Sequence, residues 1–253
     1  MKKRIYILAA ALLAITLMPA AGFAQQTDDE DGGGFEWSVS ADVTSNYIWR
    51  GYEQGDTGKF FNFNVQPCVW LGYKGLYLEL WNTTAFNGSY NEVDITLGYS
   101  IAGFDLSVSD YYFDYDCRYF RNYKASHSLN ATLSYEFSFP LTLTWSTVLV
   151  ADDYYESGRR AWSSYVEASY THSFDRLFDV TATVGASPYT APYWCLDREG
   201  EVLQGFNFTN LELGIGREFE VGCATIPVSL KYIYNPAIHR NYGVVSVGVA
   251  FGN

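Results

Sequence analysis

The stretch "FEWSVSADVTSNYIWRGYEQGD", residues 35–56, decides the fold. Phe35, Trp37, Val39, Ala41, Val43, Tyr47 and Trp49 share one parity. Glu36, Ser38, Ser40, Asp42, Thr44, Asn46 and Arg50 share the other, and only Ser45 and Ile48 break the pattern. A period of two puts successive side chains on opposite faces of a strand. This strand therefore separates an apolar surface from a polar one, and Gly51 ends it in a polar loop. The aromatics at its two ends, Phe35 and Trp37 against Tyr47 and Trp49, suit an apolar slab bounded by water on both sides, because Tyr and Trp gather at such boundaries.

Upstream, "MKKRIYILAAALLAITLMPAAGFAQQ" joins a basic start to a short apolar run and a small-residue end, the pattern of a secretory signal peptide over 1–24. The apolar run is short for an anchoring helix, which needs about 20 residues. Residues 25–34 form an acidic, glycine-rich linker, and 35–253 read as one unit. Removing Lys2, Lys3 and Arg4 from the 16 basic residues leaves 13 against 28 acidic ones, so the mature formal charge falls to −15. That balance argues against nucleic acid as a partner. Aromatic residues make up 18% of the chain, more than a water-soluble domain needs.

The alternation repeats downstream. Further strands are expected near 60–73, 75–84, 91–101, 103–113, 126–137, 140–151, 160–173, 177–187, 205–217, 225–235 and 242–252, giving twelve with the first. Long connections such as "DYDCRYFRNYKA" alternate with tight ones such as "YKG", "IAG" and "SFP"; only "REFEVGCA", 217–224, departs. This layout predicts an all-β fold, a transmembrane antiparallel up-and-down β-barrel of about twelve strands in the bacterial outer membrane. Such a barrel has short turns inside, longer loops outside and closed edges that lipid tolerates. An exported soluble sandwich would alternate too. It would not place Tyr99, Phe104, Tyr135, Phe137, Phe174 and Phe178 beside the short turns, where an aromatic girdle belongs.

The segment "TSNYIWRGYEQGD" resembles the start of the TorF family of porins, whose first strand reads Thr-Ser-Asp/Asn-Tyr-x-x-Arg-Gly; the matching residues are Thr44, Ser45, Asn46, Tyr47, Arg50 and Gly51. Over the rest of the chain the likeness is architectural, and the ending "VGVAFGN" departs from barrels that finish on an aromatic residue. The resemblance implies an outer-membrane barrel with pore function. It supplies no solute and no catalytic residues.

By parity the lumen carries Glu36, Asp42, Glu79, Glu92, Asp94, Asp105, Glu136, Glu167, Asp179 and Glu212, against Arg50 and Lys231. An acidic lumen attracts cations, which predicts passive diffusion of small hydrophilic solutes with weak cation preference. The same carboxylates could simply solvate a wet interior. Trp70, Tyr77, Trp81, Tyr111, Phe113 and Tyr165 also point inward, either constricting a channel or filling a structural barrel that displays its loops. Arg50 is expected near the outer mouth, pairing with acidic neighbours to brace the mouth or gate it.

No enzyme is expected. His127 and Ser128 are adjacent, as are His172 and Ser173, so each pair faces opposite sides of a strand, and no Gly-x-Ser-x-Gly occurs. Cys117 and Cys195 fall in outer loops and could form a disulfide or stay free, Cys68 faces the lumen, and Cys223 lies in an inner turn. No pair has Cys-x-x-Cys spacing, and the acidic pairs Asp114/Asp116 and Asp152/Asp153 lack recognised calcium-loop spacing. No metal or cofactor is expected, and outer-membrane lipid is the expected surrounding partner.

Overall fold

The computed structural model describes residues 34–55, 61–113, 119, 126–175 and 177–253. The signal peptide over 1–24 and all but Gly34 of the linker lie outside them. The strands are β1 (Phe35–Thr44), β2 (Ile48–Trp49), β3 (Tyr52–Glu53), β4 (Asn64–Tyr73), β5 (Leu76–Ala85), β6 (Asn91–Ile101) and β7 (Phe104–Tyr112), followed by β8 (His127–Glu136), β9 (Leu141–Val150), β10 (Ser164–Phe174), β11 (Phe178–Ser187), β12 (Asn207–Val221), β13 (Ala224–Asn235) and β14 (Arg240–Gly252). β1 and β4 to β14 close into a twelve-stranded antiparallel barrel, while β2 and β3 form a separate two-stranded hairpin. The seam pairs Val43 with Val247 and Val39 with Phe251, so no barrel edge is left open.

Alternation sorts the two faces as the sequence predicts. On β1, Ser38, Ser40, Asp42 and Thr44 are buried against the lumen while Phe35, Val39 and Val43 are exposed outside. Around the outer wall Leu80, Leu97, Leu106, Leu133, Leu143, Val184, Leu213, Leu230 and Val245 are all exposed. A contiguous apolar belt of this kind far exceeds the few hundred Å² that a water-facing monomer shows. Inside, small hydroxyls pair across strands, as in Thr96 with Ser109 at 2.8 Å, Ser134 with Thr144 at 3.0 Å and Ser169 with Thr183 at 3.0 Å.

The tight turns follow backbone sterics. Lys74–Gly75 and Ala102–Gly103 both hold positive φ, at 51° and 83° and at 51° and 81°, the two-residue geometry whose twist matches the strands it joins. The stretch 217–224 is a correction to the sequence reading. β12 continues to Val221 and β13 starts at Ala224, leaving only Gly222 and Cys223 in the turn. The apparent long inner connection is strand that extends the wall.

The second correction concerns β1, which leaves the wall at Thr44 rather than near Arg50. Ser45 and Ile48, the two residues that break the alternation, mark the departure.

Candidate functional site

After Thr44 the chain turns into the barrel. Ile48 pairs with Glu53 and Trp49 with Tyr52, and Arg50–Gly51 makes the turn with φ of 52° and 84°, nearly the values of the short turns above. In the ring of strands β9 stands six places from β1 in either direction, diametrically opposite. Arg50 Nη2 donates to Ser146 Oγ on β9 at 2.7 Å. The Arg50 side chain therefore reaches the wall opposite β1 from a turn whose backbone lies against β12 and β13.

The hairpin's sides rest on the wall. Tyr47 lies 5.4 Å from Trp81 and 5.9 Å from Tyr90, Trp49 lies 6.3 Å from Tyr111, and Ile48 packs against the buried cluster of Ile233, Tyr242 and Val244. Asn235 Nδ2 donates to the Gly51 carbonyl at 3.0 Å. A Cβ on Gly51 would lie 1.8 Å from the Thr209 carbonyl oxygen. Gly51 is thus required both for its φ and for this close approach. Gly51→Ala should weaken docking of the hairpin by at least about 1 kcal/mol, the cost of a left-handed conformation for a residue with a Cβ. Faster cleavage of the hairpin by added protease, with the barrel intact, is the expected readout.

A second piece closes over the first. Residues 188–206, between β11 and β12, fold back around buried Ala191, Trp194 and Cys195, against which Trp49, Tyr52, Tyr193 and Leu203 pack. Tyr52 Oη donates to the Leu196 carbonyl at 3.0 Å. The segment is fastened to its neighbours by Arg198 Nε on the Ile238 carbonyl at 2.6 Å and Tyr193 N on Ser163 Oγ at 3.2 Å. Burial raises the pKa of the Tyr52 phenol and of the Cys195 thiol above their ordinary values, since neither charged form is solvated there.

Arg50 is buried, at 5% exposure, and its guanidinium lies 4.2 Å from the Trp49 ring centre, 5.0 Å from Tyr165 and 5.3 Å from Trp194. Burial draws its pKa below the ordinary value, opposed by Tyr111, Tyr165 and Glu167. The expected carboxylate partners are replaced by rings, whereas His127 with Asp110 and Lys231 with Glu212 do form ion pairs. Tyr47 and Trp49 are likewise corrected, from an outer girdle to the interior. Phe35, Trp37, Tyr99 and Tyr135 do point outward at the short-turn end, where Phe104 lies 4.5 Å from Tyr135 and Phe174 lies 4.9 Å from Phe178.

The other inward aromatics behave unlike the hairpin. Trp70 lies over Gly72 and Tyr77 over Gly98, where a Cβ would come within 2.2 Å of each ring. Trp70 stacks on Tyr77 at 6.1 Å. These rings lie flat along the wall because glycines beside them leave room, so in the half nearer the short turns they do not reach across the lumen. Trp81, Tyr111 and Tyr165 differ, being engaged by Tyr47, by Trp49 and by Arg50.

Asp42, Glu79, Asp94, Glu136, Glu167 and Glu212 occupy inward positions of β1, β5, β6, β8, β10 and β12. Several wall carboxylates are held by neighbours. Asp105 accepts from Tyr77 Oη at 3.0 Å, Glu92 accepts from Tyr90 Oη at 3.0 Å, and Lys231 Nζ sits 3.2 Å from Glu212. His127 faces outward, its Nδ1 2.9 Å from Asp110 and its Nε2 2.6 Å from the Tyr119 carbonyl, so both ring nitrogens are engaged by acceptors. Ser128 points the other way. Cys195 is a free thiol, and Cys117 lies outside the described residues.

The hairpin could have been read from the sequence. "IWRGYE" repeats the pattern of "GYKGLY" and "SIAGFD": a residue and a glycine between strand-forming residues.

No family profile matches the chain, and no curated protein matches its sequence. Among solved structures it is similar to an outer membrane channel from Pseudomonas putida F1, with 11% identity over 90% of this chain and 100% of that one and a TM-score of 0.47. It is similar to KdgM porin at 7% identity over 85% of this chain and 98% of that one, TM-score 0.46. It is also similar to the CymD monoaromatic hydrocarbon channel at 8% identity over 88% of this chain and 90% of that one, TM-score 0.44. At these scores nothing passes from those proteins to this chain.

Proposed function

We propose that this chain is an exported outer-membrane barrel that lets small hydrophilic solutes diffuse through an acidic lumen narrowed by the β2–β3 hairpin. The observation that carries the reading is the pairing of an exposed apolar belt outside with a wall of hydroxyls and carboxylates inside. Lipid satisfies the first and water the second; a protein surrounded by water on all sides has no use for the belt. On this reading residues 1–24 are the export signal, the short turns face the periplasm, and the outward aromatics at that end form one interfacial girdle. Kinship with the TorF family rests on Thr44 to Gly51 alone.

The excess of inward carboxylates over Arg50 and Lys231 supports a preference for cations. Purified protein in a planar bilayer should conduct, with a reversal potential under a salt gradient displaced toward that of the cation. An anion-directed reversal potential removes the preference, and silence at every voltage removes the channel.

One observation favours a second reading, a non-conducting barrel that displays its loops: the hairpin reaches the opposite wall and a fastened segment lies over it. Trimming residues 188–206 would then abolish binding of a partner without changing conductance.

Sidedness has its own test. Cys223 is exposed in the turn after β12, whereas Cys68 and Cys195 are buried. In a Cys117→Ser background, a membrane-impermeant maleimide should label Cys223 from the periplasmic side alone, leaving Cys68 and Cys195 unmodified until the barrel is denatured. Labelling of Cys223 on intact cells would reverse the topology.

A further inference from the structure

Arg50 is bound inside this barrel as a ligand would be. Three ring faces surround its guanidinium, Nη2 donates to the neutral Ser146 hydroxyl, and Nη1 is buried without a partner. Contact with ring faces is how a protein holds an organic cation out of water.

Two of those rings belong to elements outside the hairpin, although Trp49 and Tyr52 also pack against Trp194. Tyr165 belongs to β10, where its hydroxyl donates to Glu167, and Trp194 belongs to the fastened 188–206 segment; the two meet edge-on at 5.7 Å. Only Trp49 travels with Arg50. Were the hairpin tip to swing aside, the space that the guanidinium fills would open in the angle formed by these two rings, Tyr165 carried by the wall and Trp194 by the segment that Arg198 and Tyr193 fasten, with the Glu167 carboxylate hydrogen-bonded to Tyr165. Any cation moving down the acidic lumen would meet it.

We infer that Tyr165 and Trp194, backed by Glu167, form a binding site for a small organic cation of the alkylguanidinium type, and that Arg50 occupies this site as a displaceable internal stand-in. The inference rests on the channel reading for its biological sense, since the solute must enter the lumen. Its test reads binding rather than current, so the two fail separately.

The probe is ethylguanidinium, with neutral ethylurea as the shape control, titrated at constant ionic strength while tryptophan fluorescence is recorded. Arg50→Ala vacates the site, and a saturable quench is expected at a concentration about tenfold below that needed with wild type, where Arg50 competes; a tenfold change corresponds to about 1.4 kcal/mol. Ethylurea should give none, and adding Trp194→Leu should remove the response. Arg50→Gln runs in parallel as a less disruptive variant, with folding of each checked by heat-modifiable gel migration. An ethylurea response equal to that of ethylguanidinium, or no saturable quench from wild type and both variants, overturns the inference. Current block in Arg50→Ala at the quenching concentrations supports a site on the conduction path. Quenching with a silent bilayer supports the cation site and removes the channel.

Discussion

Replacing Ile48–Glu53 by a short Gly-Ser linker should raise single-channel conductance severalfold while the barrel still folds. The wall does not depend on the hairpin, because β1 pairs with β4 from Phe35↔Tyr73 to Thr44↔Asn64 without it. What the hairpin supplies is material across the lumen: the Ile48 to Tyr52 side chains, held at the far wall by Arg50 on Ser146 and at the end of β13, two strands from β1, by Asn235 on the Gly51 carbonyl. Those contacts vanish with it, and the flat-lying Trp70 and Tyr77 cannot replace them. The expected result combines higher conductance with weaker discrimination among solutes of different size, measured in planar bilayers and by liposome swelling. Equal conductance before and after would mean that ions already pass beside the hairpin. Silence in both would favour the loop-displaying barrel.

Leu97→Arg is the second change with a large expected effect. Leu97 lies near the middle of β6, 56% exposed, with outward Leu78 and Val108 as its cross-strand neighbours. At the midplane of a bilayer an arginine on a barrel's lipid face costs about 2–4 kcal/mol. On a water-washed barrel the same exposed substitution should stay within about 0.5 kcal/mol. Urea unfolding from lipid vesicles separates the two outcomes, and a negligible effect would sink the membrane placement of the belt.

Much of this was legible in advance. The faces of β1, β6 and β14 follow from parity alone, and the turns at Lys74–Gly75 and Ala102–Gly103 from local dihedral preference. The readings that needed correction lie where local pattern permits two outcomes. Tyr47 and Trp49 keep the parity of the apolar face, yet once the chain has left the wall at Ser45 that parity no longer says which solvent a side chain meets. In the stretch 217–224, Arg217, Glu218 and Glu220 look like loop, although β12 runs through them and only Gly222 and Cys223 turn. Here cross-strand pairing with β13 outweighs the charge of the side chains.

The sequence by itself determined a sheet with one apolar and one polar face, and the aromatics at its strand ends with loops of alternating length pointed to closure between two environments, because a sandwich in water would share the period of two but not those boundaries. It also determined an acidic interior. Only the tertiary structure decided what occupies that interior. The Arg50–Ser146 contact joins residues 96 apart, one on the hairpin inside the lumen and one on the wall opposite β1, and the rings around the guanidinium come from the hairpin, β10 and the 188–206 segment. No local rule relates those positions. Whether a polar loop after the first strand lies outside in water or crosses the lumen depends on the partners the far wall offers, and those exist only once the barrel has closed.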